Sequence, residues 1–267
     1  MKITSFSNPR IKSVVRLSRK SERITTGLMP VEGIREISRA ADAGIEFREA
    51  YYCPAIAGGS DERTLLERLA SSGAEMIEVP AEIFGKIAYR ESVGGIVAIA
   101  ARRDRPLDDI PPGPDPLLLV VDHLEKPGNL GAIFRSADGA GVTGIIVSDP
   151  SAELSNPNVI RASIGTVFTV PSAVAPAADA ITWLKRGGIS IVAAATDAET
   201  PWDEADLTLP SAIVLGSEDR GLGDEWLNAS DVRVKIPMRG AADSLNVSAT
   251  AAILLYEALR QRVRKDR

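Results

Sequence analysis

The sequence predicts an α/β protein of two domains, and three observations carry that expectation. Short apolar, β-branched runs alternate with helix-spaced segments along the chain, a rhythm that builds mostly parallel sheets. One stretch, DRPLDDIPPGPDP at residues 104–116, holds five prolines and a glycine and suits neither a helix interior nor a central strand. The 267 residues are enough for two modest domains. The expected division is a domain over 1–103, a semi-rigid linker over 104–116 and a domain over 117–267.

In the first domain, Asn8–Ser21 reads as a basic helix and Val31–Ala43 as a helix closed by Gly44. Phe47–Cys53 reads as a strand, Arg63–Ser72 as a helix, Met76–Val79 as a short strand and Ala81–Ala88 as a short helix. Ile96–Ala101 is an apolar strand that enters the linker.

In the second domain, Leu117–Asp122 (LLLVVD) is a continuous apolar run, the mark of a strand buried on both faces. Helix Leu130–Ala140, strand Gly144–Ser148, helix Asn158–Ile164 and strand Thr166–Val170 follow. Pro176–Arg186 reads as a helix with proline in its first turn. Ser190–Ala195, Ala212–Leu215 and Val232–Ile236 read as strands, and Ser248–Arg264 as a long terminal helix.

Composition narrows the function. With 45% hydrophobic and 25% charged residues the chain is ordinary for a soluble globular protein. No apolar run approaches a membrane span, and MKITSFSNPRIK lacks a signal-peptide core; a cytoplasmic protein is expected. The single cysteine, Cys53, excludes an internal disulfide, argues against a zinc site and reads as a core residue. The single histidine, His123, excludes a multi-histidine metal centre, and no metal is expected. No G-x-S-x-G elbow accompanies it, so it reads as a loop histidine without catalytic duty.

Net charge is −5, yet residues 1–40 hold nine basic and three acidic residues, and Arg260, Arg262, Arg264, Lys265 and Arg267 make the C-terminus basic. Basic ends on an acidic body fit a localised polyanion contact, and equally a solvated helix face.

Three segments carry candidate chemistry. In DHLEKPGNLGAIFRS (122–136) a strand gives way to a helix expected to be capped by Asn129, with Arg135 near the end of its second turn. In IVLGSEDRGLG (213–223) an apolar strand runs into a glycine-rich loop bearing Glu218. It is no P-loop, because Leu222 and Gly223 stand where Lys and Ser/Thr are required. No G-x-G-x-x-G opens a helix anywhere in the chain. In IPMRGAADSLNVSAT (236–250), Ser244, Asn246 and Ser248 crowd a helix start that needs only one cap. Each segment by itself also fits an ordinary turn or capped helix.

Taken together, these segments resemble the SpoU/TrmH family of SPOUT methyltransferases. The motifs N-L-G-A-I-F-R-S, L-G-S-E-D-R-G-L and I-P-M followed by S-L-N-V-S stand in order over 117–264, and NPNVIRASIGTVF (156–168) is similar as well. One departure is Pro127-Gly128-Asn129, where many members have Pro-His-Asn. The resemblance implies a C-terminal SPOUT domain with a parallel sheet and a deep trefoil knot, preceded by a small ribosomal-protein-like RNA-binding domain. It implies S-adenosylmethionine-dependent methylation of a ribose 2′-hydroxyl in RNA, with 23S rRNA the expected substrate, and a homodimer.

By position the resemblance implies Arg135, Asn129, Glu218 and Asn246 as catalytic residues. Thr196, Leu215, Gly216, Ile236, Met238, Ser244, Leu245, Val247 and Ser248 are implied to bind the cofactor. Arg10, Lys12, Arg16, Arg19 and Arg161 are expected to contact RNA. The resemblance ties Arg135 to catalysis either by holding the adjacent phosphate or by helping the hydroxyl deprotonate; since a guanidinium normally stays protonated, the phosphate-holding role is the expected one. A tRNA 2′-O-methyltransferase, an idle RNA-binding or ribosome-assembly protein and a small-molecule nucleotide enzyme are the alternatives. Erosion of the four polar residues would mark the idle protein, and a phosphate fingerprint the last.

Overall fold

The computed structural model describes residues 1–89, 94–111, 113–150 and 152–265; Pro112 of the linker and Arg267 of the basic C-terminus lie outside the described residues. Two compact units form. The first comprises Met1–Arg103 with Glu153–Thr169, the second Asp104–Ala152 with Val170–Arg267.

The chain opens with α1 (Pro9–Arg16), α2 (Lys20–Thr26), β1 (Leu28–Glu32), α3 (Ile34–Asp42), β2 (Phe47–Tyr52), α4 (Ser60–Ser71), β3 (Glu75–Glu78), α5 (Ala81–Ile87) and β4 (Ile96–Ala101). The strands align as β1-β4-β2-β3. β4 lies antiparallel to both β1 and β2, and only β2 and β3 run parallel. The expectation of a mostly parallel sheet is thus corrected in this unit. The last strand enters between β1 and β2, and β1 is a strand that was not expected: its first three residues were left unassigned and only Val31 and Glu32 fall in the run read as a helix. Pro30 disguises it, and proline is tolerated there because β1 is an edge. The helix begins only after Gly33, whose φ of +97° turns the chain.

The predicted basic helix Asn8–Ser21 is also two helices. Arg19 is extended (φ −90°, ψ 135°). The Arg23 side chain, 2% exposed, holds the break by donating to the carbonyls of Leu17 at 2.7 Å and Ser18 at 2.9 Å. Its Nε donates to the Glu153 carboxylate. Breaking such a buried pair leaves a charge without a partner. Glu153→Ala is therefore expected to destabilise the protein by about 3–5 kcal/mol, read as a lowered urea midpoint; an unchanged midpoint would show that water reaches Arg23.

The chain continues through β5 (Leu117–Asp122), α6 (Pro127–Ala140), β6 (Gly144–Ser148), α7 (Pro157–Ala162), α8 (Thr166–Thr169), β7 (Ser172–Ala175), α9 (Ala177–Arg186), β8 (Ser190–Ala194), β9 (Thr200–Pro201), β10 (Ser211–Leu215), α10 (Asp224–Ala229), β11 (Val232–Lys235) and α11 (Val247–Lys265). Helices α7 and α8 belong to the first unit. The strand expected at Thr166–Val170 is α8 instead: Phe168 N–H bonds to the Gly165 carbonyl and the Thr166 hydroxyl to that of Ser163. Local turn bonds outweigh β-branching there. Gly165 (φ +80°) lies against Glu36, whose Cα would be 2.9 Å from an added Cβ.

In the second unit the strands run β7-β6-β5-β10-β8-β11-β9, all in parallel register. Every residue of β5, β6 and β10 is buried, as continuous apolar runs in a sheet covered on both faces require. Helices α6 and α11 pack together. The proline-rich stretch is no free linker throughout, since Ile110 joins the core beside Leu118 and Val120. Among the described residues no helix is long and apolar enough to cross a membrane, and no His/Cys/Asp/Glu group is placed to hold a metal. Cys53 is buried and free.

Candidate active site

Parallel strands end on one edge of a sheet, and the loops leaving that edge are where α/β proteins build sites. Strand β10 ends at Leu215 and turns at Gly216. A Cβ on Gly216 would lie 2.1 Å from the Gly221 carbonyl carbon and 2.4 Å from the Leu222 nitrogen. The loop therefore folds back onto its own origin, closed by the Gly221 N–H to the Ser217 carbonyl at 2.9 Å. Gly221 takes φ +67°, a conformation that favours glycine.

A cavity of about 570 Å³ opens beside this loop, within the roughly 300–1,000 Å³ of small-molecule sites. Of the residues implied to bind the cofactor, Thr196, Leu215, Gly216, Ile236, Met238, Ser244, Leu245 and Val247 line it. Ser248 does not; its hydroxyl and N–H are both spent on Asn246 Oδ1, at 2.5 and 3.0 Å. Sequence reasoning missed Asp197, Asp219, Asp243 and Leu254 in the lining. Asp219 and Asp243 stand inside two of the segments quoted above and Asp197 follows Thr196, so their places in the chain were a signal; Leu254, inside the last helix, had none.

Next to the cavity three of the four implied catalytic side chains meet. Glu218 Oε1 accepts from Asn129 Nδ2 at 2.8 Å and from Asn246 Nδ2 at 2.6 Å. The two asparagines are 3.4 Å apart, and Lys126 donates to Glu218 Oε2. Asn129 is not the helix cap that was expected. Pro127 takes the first helical position and Lys126 the cap, a place proline favours because it lacks an N–H. The Asn129 amide is thereby released for Glu218. Asn246 does cap α11 and serves Glu218 as well. The Lys126 contact was missed; its one sequence signal is a cation three residues before Asn129. The fourth residue, Arg135, is exposed on α6 with no hydrogen bond or ion pair among the described residues.

The Lys126 hydrogen bond holds Glu218 below the usual carboxylate range, against partial burial and with help from Asn129. A carboxylate with a lowered pKa stabilises the fold above its unfolded value, about 4.3, and loses that contribution as pH falls through the folded value. Glu218→Gln is accordingly expected to cost stability at pH 7 and to narrow its gap to wild type in acid, in urea unfolding between pH 3 and 7. A gap that is constant across this range would place the effect outside Glu218 ionisation.

The RNA-contact candidates all fall in the first unit. Arg10 is engaged by Glu75 at 2.8 Å, and Arg16 lies 3.7 Å from Glu22. Lys12, Arg19 and Arg161 are exposed.

Fold and site define an α/β enzyme with a small-molecule cavity at the carboxyl edge of a parallel sheet. The chain belongs to the SpoU rRNA methylase family, whose model matches residues 116–256. An MRM3-like substrate binding domain matches residues 8–98. The chain is 32% identical over 256 residues to the 23S rRNA (uridine(2479)-2′-O)-methyltransferase of Streptomyces viridochromogenes, covering 92% of this chain and 88% of that one. It is similar to the crystal structure of an RNA 2′-O ribose methyltransferase at a TM-score of 0.85 and 41% identity, over 98% and 100% of the two chains. The SpoU methyltransferase AviRb of Streptomyces viridochromogenes, solved in complex with the cofactor AdoMet, matches at 0.88 and 30% identity, over 96% and 98%.

Proposed function

We propose that this protein methylates a ribose 2′-hydroxyl of 23S rRNA with S-adenosylmethionine as donor. The observation that carries the reading is the junction of Asn129, Glu218 and Asn246 beside the cavity, three motif residues brought together from across the chain. The cavity suits the donor chemically. Leu215, Ile236 and Leu245 offer apolar walls to an adenine ring, and the carboxylates Asp197, Glu218, Asp219 and Asp243 outnumber the cations Arg220 and Lys235, which favours a cationic sulfonium. When bound, S-adenosylmethionine supplies an electrophilic methyl group.

The chain's own residues do the rest. Glu218 fixes both asparagine amides and so the loops that carry them. Arg135, without a hydrogen bond or ion pair among the described residues, grips a phosphate next to the target ribose. Positioning of this kind supplies much of the rate when the nucleophile is weak. Lys12, Arg16, Arg19 and Arg161 hold the RNA backbone. Replacing Arg16 and Arg19 by alanine is expected to weaken RNA binding and to flatten its dependence on salt by about one to two phosphate contacts; an unchanged slope in filter binding would remove this patch from the interface.

A homodimer belongs to the same proposal, supported by Tyr256 and Val263, both exposed on α11; sedimentation showing only monomer at micromolar concentration would refute it. So does the trefoil knot, supported by the convergence of the loops at 216–221, 236–238 and 244–247 on one cavity. The test is transfer of labelled methyl to purified 23S rRNA and tRNA, followed by mapping. Label at one ribose of 23S rRNA is expected. Label on tRNA alone would reassign the substrate, and no cofactor binding would favour an idle RNA-binding protein.

A further inference from the structure

The segment NPNVIRASIGTVF (156–168) falls within the run that matches the SpoU rRNA methylase family. Yet Glu153–Thr169 belongs to the first unit, together with the residues that match a substrate binding domain. Its helix α7 packs on β1, and α8 packs on α3. A piece of the methylase sequence is thus built into the unit that carries the RNA-contact candidates.

The start of α7 shows what its two asparagines do. Asn156 caps the helix, accepting from the Asn158 N–H at 2.9 Å. One cap suffices, so the Asn158 side chain is released for other partners. Its Nδ2 donates to the Tyr89 hydroxyl at 3.0 Å, and its Oδ1 accepts from Arg161 Nη2 at 3.3 Å. The Tyr89 backbone N–H donates to Glu32 Oε2 at 2.8 Å.

Tyr89 is 44% exposed. An exposed phenol needs no protein partner, because water satisfies its hydroxyl about as well. Here the residue is fastened at the hydroxyl and at the backbone, and the ring is not sunk into the core. A ring fixed in the open before binding leaves less freedom to be lost when a ligand lies on it. Aromatic faces are what proteins offer to unpaired RNA bases. The charges sort the rest of a nucleotide. Glu32 repels a phosphate laid on the ring. Arg161 is exposed and in no ion pair among the described residues, and its planar fork suits a phosphate beside the ring.

We propose that Tyr89 stacks an unpaired base of the RNA substrate and that Arg161 holds the adjoining phosphate, with Asn158 as the positioning residue for both. This rests on the function proposed above for the identity of the ligand, an RNA.

Filter binding of a 23S rRNA transcript across a salt series tests the assignment. Tyr89→Leu is expected to weaken binding by about tenfold and to leave the salt slope unchanged, because stacking releases no counterions. Tyr89→Trp, which stacks without the hydroxyl, is expected to stay close to wild type. Arg161→Ala is expected to lower the slope by about one phosphate contact. Asn158→Ala is expected to cost less than Tyr89→Leu, and little further once Tyr89 is leucine. S-adenosylmethionine affinity should be the same in all four. A Tyr89→Leu variant that binds the transcript like wild type would overturn the proposal. So would a tryptophan variant as weak as the leucine one. Turnover that falls on ribosomal particles while affinity for the naked transcript holds would overturn it too, and would make the ring a protein contact. A wild type that binds the transcript with this pattern yet methylates no RNA would refute the proposed reaction and support the platform.

Discussion

Arg135→Ala is expected to lower kcat for RNA methylation by roughly 10²-fold, the loss typical when a reacting group is no longer held in position. The side chain is exposed on α6 and makes no hydrogen bond or ion pair among the described residues, so its removal should leave the melting temperature within about a degree or two of wild type. Cofactor affinity should stay the same, because Arg135 does not line the cavity. Arg135→Lys should restore part of the rate, since an ammonium keeps the charge but not the two-pronged geometry. Single-turnover transfer of labelled methyl, read beside calorimetric cofactor binding, separates these effects. An alanine variant with wild-type turnover would show that the phosphate is held elsewhere.

The second large effect is expected at Gly216. A methyl group there meets backbone, at 2.1 Å from Gly221 and 2.4 Å from Leu222, and backbone does not rotate out of the way. The loop must open by on the order of 1 Å, an overpacking that costs about 1–3 kcal/mol. It carries several residues of the cavity wall with it, so Gly216→Ala is expected to weaken S-adenosylmethionine binding by at least about tenfold, equivalent to about 1.4 kcal/mol. Gly221→Ala, with open space at its Cβ but φ +67°, should do less harm. Calorimetry on both variants is the check. Equal losses would mean that loop conformation, and not the close approach at Gly216, shapes the cavity.

The parallel sheet of the second unit was legible because its central strands are apolar throughout, and burial on both faces writes itself into composition. The four-stranded sheet of the first unit was less so. LMPVE gives no strand signal until β4 is found beside it, its last two residues reading as the start of a helix, and an edge strand owes its existence to a partner about seventy residues away. Thr166–Thr169 failed for the opposite reason, because local hydroxyl and turn bonds overrode a β-branched composition.

What the sequence by itself determined is the inventory of the site: Asn129, Arg135, Glu218 and Asn246, the glycine-rich loop and the polar entry to the last helix are all local patterns. Their division of labour was decided only in three dimensions. Pro127 displaced Asn129 from capping, Lys126 closed on Glu218, Ser248 turned to Asn246, and Asn158 turned to Tyr89. A side chain's role depends on which donor or acceptor lies within about 3 Å, and strand order sets that neighbour, bringing the segments after β5 and β10 to the same edge.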